Sequence, residues 1–419
     1  MTKLSETEEG VEWIKQLRED DQSLGCNLLD AITLVGHDEF VAGLRQLIID
    51  NSKNINGMIA LFAEREVKRG KNSIPNRLYK EQSRKKNRRA CGMGPQPVQP
   101  IRNNNLTIGS EGIVSWLVSE ICVELPGKFI CHPSPDQIRN NKIRKFVLVT
   151  DLIGSGNRAL EYLESAWRVA SVRSWKSLRY LSFGVIAYSG TDLGIRNVKR
   201  HKTTPTIDLV KPCPTIDSEF DEERSGLIKS LCIHYDPVDH DSIESLGYKG
   251  GSVLIAFSHG CPNNMPRILH KPKRNTWRPM FPKRKTSATR HIFGEKDNPN
   301  ELMKRLERLH ETRLAKGLWI SKVSKEGRKM LILLAALRRG PRFSEAIARK
   351  TGLAIPEIEI LLTKAIKWGW VSESLYLTEI GKGQLSHARK IIVSDVEIAS
   401  ENNTMYFPKS LRAPQIASS

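Results

Sequence analysis

Apolar positions recur along this chain with two periods, one helical and one extended. In residues 1–56 they fall mostly three and four apart: Val11, Trp13, Ile14 and Leu17, then Leu28, Leu29 and Ile32, then Phe40, Leu44, Leu47 and Ile48. Positions so spaced share one face of a helix, which predicts an N-terminal helical segment with Asp38 as the N-cap of its third helix. Residues 57–63 (Gly-Met-Ile-Ala-Leu-Phe-Ala) are a short continuous apolar run, the pattern of a buried strand. The chain then turns polar and basic to residue 100, around Arg84-Lys85-Lys86-Asn87-Arg88-Arg89, and reads there as a loop or lid. Beyond it, Gly109-Ser110-Glu111-Gly112 opens a helix carrying Ile113, Val114, Trp116 and Leu117. Strands are predicted over 129–132, 146–150, 181–188 and 252–257, with helical stretches between several of them. This alternation defines an α/β domain (57–299) on a mainly parallel sheet covered on both faces.

A charged helix over 301–314, inside a linker (300–320), leads to a compact unit at 321–392. Its first helix spans 325–338 with Leu331, Leu334 and Leu337 inward, and Gly340-Pro341 ends it. Ser344 is the expected N-cap of a short second helix that ends near Thr351-Gly352. Pro356 sits in the first turn of a third helix, which carries Ile358, Leu361, Leu362 and Ile366. Residues 370–372 and 375–378 alternate around a two-residue turn as a hairpin, and a further helical turn covers 379–388. Three helices followed by a small hairpin is the winged-helix layout. The expected reading face of the third helix holds Thr363, Lys364 and Lys367, together with Glu357 and Glu359, which phosphates would repel. Both a nucleic-acid and a protein-docking winged helix fit this pattern. Residues 393–419 read as a flexible tail.

The chemistry concentrates at Lys145–Arg158, K-F-V-L-V-T-D-L-I-G-S-G-N-R. An apolar strand ends at Thr150-Asp151, a small-residue loop follows (Gly154-Ser155-Gly156-Asn157), and a helical pattern begins near Arg158. Strand, glycine loop and helix aim backbone N–H groups and the positive helix end at an anion, and glycine lets backbone approach a phosphate closely. A carboxylate there, Asp151, can hold ribose hydroxyls or a Mg²⁺ beside the phosphate. Neither the Walker pattern nor the Rossmann G-x-G-x-x-G is present, and a plain βαβ turn remains the bland reading. Ligands of parallel sheets lie beyond the carboxyl ends of the strands, so Asp151, residues 189–192 and residues 258–260 are expected around one crevice. Ser110, His259, Asn263 and Asn264 are candidates for its wall. Glu111 is a candidate acid or ribose ligand, or simply a favourable charge at a helix start.

Charge adds a partner. The net charge of +20 and the pI near 9.7 point to a polyanion, and nucleic acid fits better than a membrane surface. Residues 271–290 hold eight Lys or Arg, among them Arg274, Lys283 and Arg284, interleaved with Trp277 and Phe281. That is either a single-strand binding surface or a basic loop whose aromatics cap the core. Residues 321–390 carry a net of +8. No apolar stretch approaches the roughly 20 residues that span a bilayer, and the polar, acidic start predicts no signal peptide. Seven scattered cysteines without C-x-x-C spacing fit a reducing, cytoplasmic setting.

The strand–loop segment resembles the PRPP-binding loop of type I phosphoribosyltransferases. Asp151 matches the second of that loop's two acids, Leu152-Ile153 its apolar pair and Ser155-Gly156 its turn; Thr150 stands where the first acid is expected. Over nearly its full length the chain resembles the phosphoribosyltransferase-like proteins fused to a winged helix that accompany bacterial retrons. The residues carrying this are F-V-L-V-T-D-L-I-G-S-G-N at 146–157, G-S-E-G at 109–112, the P-N-N-M-P and W-R-P-M-F-P segments, and the closing Leu377-Thr378-Glu379-Ile380-Gly381. The resemblance implies an anti-phage effector held inactive by a reverse transcriptase and its noncoding RNA–DNA hybrid (msDNA), and toxic when released. It implies a (phospho)ribosyltransferase or a nucleotide- or NAD-cleaving enzyme, with Asp151 placing ribose or Mg²⁺ and residues 154–158 holding phosphate. The alternative is a non-catalytic nucleic-acid-binding regulator whose α/β domain senses a nucleotide.

Overall fold

The computed structural model describes residues 3–84, 87–95, 110–238, 242–273, 276–284, 286, 290–293, 302–303, 306–307, 309–315, 323, 325–353 and 355–390. The chain divides into two compact units, Met1–Lys296 and Asp297–Ser419. The strands of the first unit are, in chain order, β1 (Thr33–Val35), β2 (Ile59–Ala63), β3 (Lys80–Arg84), β4 (Asn87–Cys91), β5 (Phe129–Cys131), β6 (Lys145–Ile153), β7 (Ser182–Gly190), β8 (Thr206–Pro212) and β9 (Ile255–Phe257).

Five of these form one parallel sheet in the order β5-β2-β6-β7-β8. The alternation within β6 explains its central place. Val147 and Val149 face a core shared with helices His37–Lys53 and Ser110–Glu124, through Phe40, Leu44, Ile48, Val114, Leu117 and Ile121. Phe146 and Leu148 face the opposite core, against Tyr162, Leu163 and Ala166 of helix Asn157–Trp167. A strand buried on both faces reads as one apolar run, as residues 146–149 do. From β2 the chain crosses outward to β5, then returns to β6 and proceeds to β7 and β8. The order therefore reverses between β2 and β6, the position at which open α/β sheets bind ligands.

The N-terminal helical segment belongs to this unit. Its strand β1 pairs in parallel with β9, and helices Glu8–Ile14 and Glu19–Asp30 share a third core with helix Glu222–His234 and with Trp277 and Phe281. The third helix starts at His37, so its N-cap is Gly36 and not the expected Asp38, which lies in the first turn. Part of the basic segment read as a loop is an antiparallel hairpin, β3 with β4. Tyr79 and Ala90 are buried at its base, a signal that the flanking Lys and Arg residues obscure.

The second unit has helices Lys325–Arg338, Ser344–Thr351, Ile355–Lys367 and Glu379–Lys390. Ser344 is the first helical residue rather than the cap, and Gly352 ends that helix with φ 68°. Leu334, Leu337, Ile347, Ile358, Leu361 and Leu362 form the core, with Leu331 and Ile366 partly buried against it. The hairpin reduces to a single antiparallel bridge between Val371 and Leu377. Of the linker helix, residues 302–303, 306–307 and Thr312–Ala315 are helical; residues 300–301, 304–305, 308, 316–320 and the tail lie outside the described residues.

Candidate functional site

The parallel register places Ala63 beside Val149, so Glu64, the next residue after β2, stands beside Thr150. The Glu64 N–H continues the ladder to the Val149 carbonyl at 2.8 Å. Thr150 is buried, and its Oγ1 lies 2.8 Å from Glu64 Oε2 and 3.2 Å from Asp151 Oδ1. Asp151 Oδ1 also accepts the Leu152 N–H at 2.8 Å. Glu64 is the site residue that sequence reasoning missed. Its only local signal is an acid at the carboxyl end of an apolar strand.

Burial pushes the Glu64 carboxyl up to about 7, with the Asp151 carboxylate adding to the rise and the Arg158 guanidinium opposing it. One hydroxyl hydrogen on Thr150 faces two carboxyl groups. A proton on Glu64 satisfies both contacts, because Glu64 then donates to Thr150 and Thr150 to Asp151. Arg158, at the start of its helix, has Nε 3.5 Å from Glu64 Oε2 and Nη2 paired with Glu111 Oε1. Burial also raises the Glu111 carboxyl. Thus Glu111, from the first turn of Ser110–Glu124, reaches the crevice through Arg158. Ser110 heads that helix.

The loop itself is held from below. The Thr191 hydroxyl donates to the Gly154 carbonyl at 2.6 Å, and Asn197 Nδ2 to the Ser155 carbonyl at 3.2 Å. Gly156 has φ 80°, the left-handed turn that opens helix Asn157–Trp167. Asn264 is packed against the loop, since a Cβ on Gly154 would stand 2.1 Å from its Oδ1. The Asn264 amide donates to the Tyr248 carbonyl, Asn157 Nδ2 to the Tyr248 hydroxyl, and Lys249 Nζ to Asn157 Oδ1, all at 3.0–3.1 Å. Asn263 is exposed, and its carbonyl accepts the Tyr248 N–H at 2.8 Å. His259, just past β9, is stacked on Phe257 and edge-on to Phe40. Its side chain is 5% exposed, its ring nitrogens have no hydrogen-bond partner among the described residues, and Nε2 lies 3.9 Å from Asp151 Oδ2.

The expected single-strand surface is different. Trp277 is 7% exposed, donates Nε1–H to the Ile268 carbonyl at 2.8 Å, and packs edge-on against Trp13; Phe281 is fully buried. A buried indole cannot stack on a base, so these aromatics belong to the core. Lys283 and Arg284 are exposed, and Arg274 lies outside the described residues. In the second unit, Thr363 and Lys367 are exposed and Lys364 is half-buried on the third helix. Glu357 pairs with Lys329 of the first helix, which offsets one of the two acids expected to repel phosphates.

A parallel α/β unit with a strand–glycine turn–helix segment at its switch point, and a second unit of helices with a minimal wing, define a phosphoribosyltransferase-like protein joined to a winged helix. Residues 11–283 match the family model PRTase-CE, and residues 331–413 match a second, wHTH-PRTase associated. The first match spans more than half of the chain, which belongs to the PRTase-CE family. No curated protein and no solved structure matches it. Among the described residues, no helix is long and apolar enough to cross a membrane.

Proposed function

We propose that the β2–β6 crevice binds a ribosyl phosphate, either 5-phosphoribosyl diphosphate or a nucleotide such as NAD, and that the chain transfers or removes the ribosyl group. The observation carrying this reading is the pair Glu64 and Asp151 around Thr150, at the switch point and beside the Gly154–Asn157 turn. Asp151 holds ribose hydroxyls, and the Ser155–Asn157 backbone faces the phosphate. Arg158 reaches that phosphate on release from Glu64 and Glu111. Among the described residues no three His, Cys, Asp or Glu side chains converge on a metal. Mg²⁺ needs no such cage: one or two carboxylates with substrate phosphates suffice, and Asp151 supplies one such carboxylate. When bound, the ion would neutralise phosphate charge.

The same reading takes the protein as a cytoplasmic, toxic effector of a retron anti-phage system, held by a reverse transcriptase and msDNA. The basic winged helix, with Thr363, Lys364 and Lys367, serves as the nucleic-acid contact. Calorimetry with 5-phosphoribosyl diphosphate, ribose 5-phosphate and NAD, each with Mg²⁺, tests the crevice. Binding by the wild type that Asp151→Asn weakens by at least about tenfold, the loss of a charge-assisted contact, is expected. No binding, or equal binding by a folded variant, sinks it. Metabolite pools in cells expressing each form then separate turnover from sensing. A pool depleted by the wild type alone names the substrate; binding without depletion makes the α/β unit a nucleotide sensor.

A further inference from the structure

Residues 65–91 hold eleven Lys or Arg against Glu66 and Glu81, a net of +9. Much of it lies on the β3–β4 hairpin, where Gln82 faces Arg89 and Ser83 faces Arg88 across the strands. The base of the hairpin is anchored. The Tyr79 hydroxyl donates to the Pro133 carbonyl at 3.0 Å, the Ala90 N–H to Ser171 Oγ at 2.9 Å, and the Ala170 N–H to Glu81 at 2.6 Å. Past that anchor the ribbon leaves the core, and Gln82, Ser83, Arg88 and Arg89 are exposed. Among the described residues the two strands form a sheet of their own, with neither outer edge paired. Arg88 has no ionic partner among the described residues, and Arg89 has only Asp136 at 3.8 Å, both more than half exposed. Exposed pairs of that kind contribute little, so both guanidinium groups are available.

We propose that this hairpin inserts into the major groove of B-form duplex DNA. Paired strands lie about 4.8 Å apart, and a two-stranded ribbon with its side chains fits a groove about 12 Å wide. The A-form major groove of RNA is too deep and narrow for it. Residues 80–91 contain no aromatic side chain, so the ribbon lacks the stacking platform of a single-strand binder and the aromatic anchor of a protein interface. It carries instead what a groove reads: arginines for guanine edges and phosphates, with Gln82 beside Arg89 for an adenine edge. This contact is independent of both the crevice and the winged helix.

The test is fluorescence anisotropy of the full chain against Arg88→Ser/Arg89→Ser, on duplex DNA, its single strand and duplex RNA. Each released phosphate contact contributes about 0.9 to the salt slope and roughly fivefold to affinity near 150 mM salt. The double variant should therefore bind duplex DNA about 30-fold more weakly, with a slope shallower by about 1.8. Circular dichroism should stay unchanged, because both side chains are exposed. Arg88→Lys/Arg89→Lys keeps the charge, so its slope should stay at the wild-type value while guanine preference falls. The hairpin loss should persist in a Lys364→Ser/Lys367→Ser background, which separates it from the winged-helix reading. Unchanged affinity and slope, an equal loss on single strands or duplex RNA, or no duplex binding by the wild type would overturn the proposal.

Discussion

Glu64→Gln tests the charge state of the crevice without needing its ligand. Glu64 is raised from the ordinary 4.5 to about 7, mainly by burial, and its side chain is 5% exposed. The folded chain therefore keeps a proton that the unfolded chain has released, so stability falls as pH rises from about 4.5 to about 7 and is level above. At roughly 1.4 kcal/mol per pH unit, the displacement is worth about 3 kcal/mol. Glutamine keeps the shape and cannot ionise, so the variant should lack this slope. The assay is urea unfolding of both proteins at about pH 5 and about pH 8, read by hydrogen exchange of β6 amides so that only the α/β unit reports. The wild type should lose roughly 2–3 kcal/mol relative to the variant between the two pH values. A difference constant to within about 1 kcal/mol would refute the reasoning and assign Glu64 a charge held by Arg158 throughout.

Three further outcomes follow from the packing. Gly154→Ala puts a methyl group where Asn264 sits, with its amide held by Tyr248; a loss of about 1–3 kcal/mol in thermal unfolding of the α/β unit and weaker ligand binding are expected. Trp277→Ala should cost about 3–5 kcal/mol of stability as a core cavity. Its affinity for single-stranded DNA should not change at a temperature where it is folded, and a selective loss of that affinity would restore the stacking role. Lys364→Ser/Lys367→Ser should lower the salt slope of duplex binding by up to about 1.8 without altering the hairpin contribution, and an unaltered slope would make the winged helix a protein-docking module.

What the sequence disclosed depended on whether a signal was local. The helices of the second unit were legible because Leu334, Leu337, Ile358, Leu361 and Leu362 repeat at helical spacing and all are buried. Strands β6 and β7 were legible because both faces are covered and the apolar runs are unbroken. Strand β8 was not. It lies at a sheet edge with half-exposed residues, and Asp208, Lys211 and Pro212 interrupt its pattern. Strand β1, at three residues and between two helices, is too short for a period to show. Trp277 misled because a basic neighbourhood says nothing about the direction of an indole.

Glu64 escaped because its meaning lies in a register, not in a motif. The phosphoribosyltransferase loop that 150–156 resembles carries two adjacent acids on one strand, and Thr150 takes the place of the first. In the folded chain a second carboxyl arrives from the neighbouring strand, 86 residues earlier, opposite Thr150. Parallel strands in register point equivalent residues to the same side, so an acid can move across the ladder and still reach the same space. A slip of one residue would turn Glu64 to the far face of the sheet and leave Thr150 with Asp151 alone. The ladder bond from Glu64 N–H to Val149 and the two-sided core of β2 and β6 prevent that slip. The spacing of the two acids is then set by the strand pairing, with the Thr150 hydroxyl within hydrogen-bond distance of both. An Ala63 deletion, which shifts that register by one, should weaken ligand binding at least as much as Asp151→Asn does, while Thr150→Ser, which keeps the hydroxyl, should retain it; calorimetry with 5-phosphoribosyl diphosphate reads both.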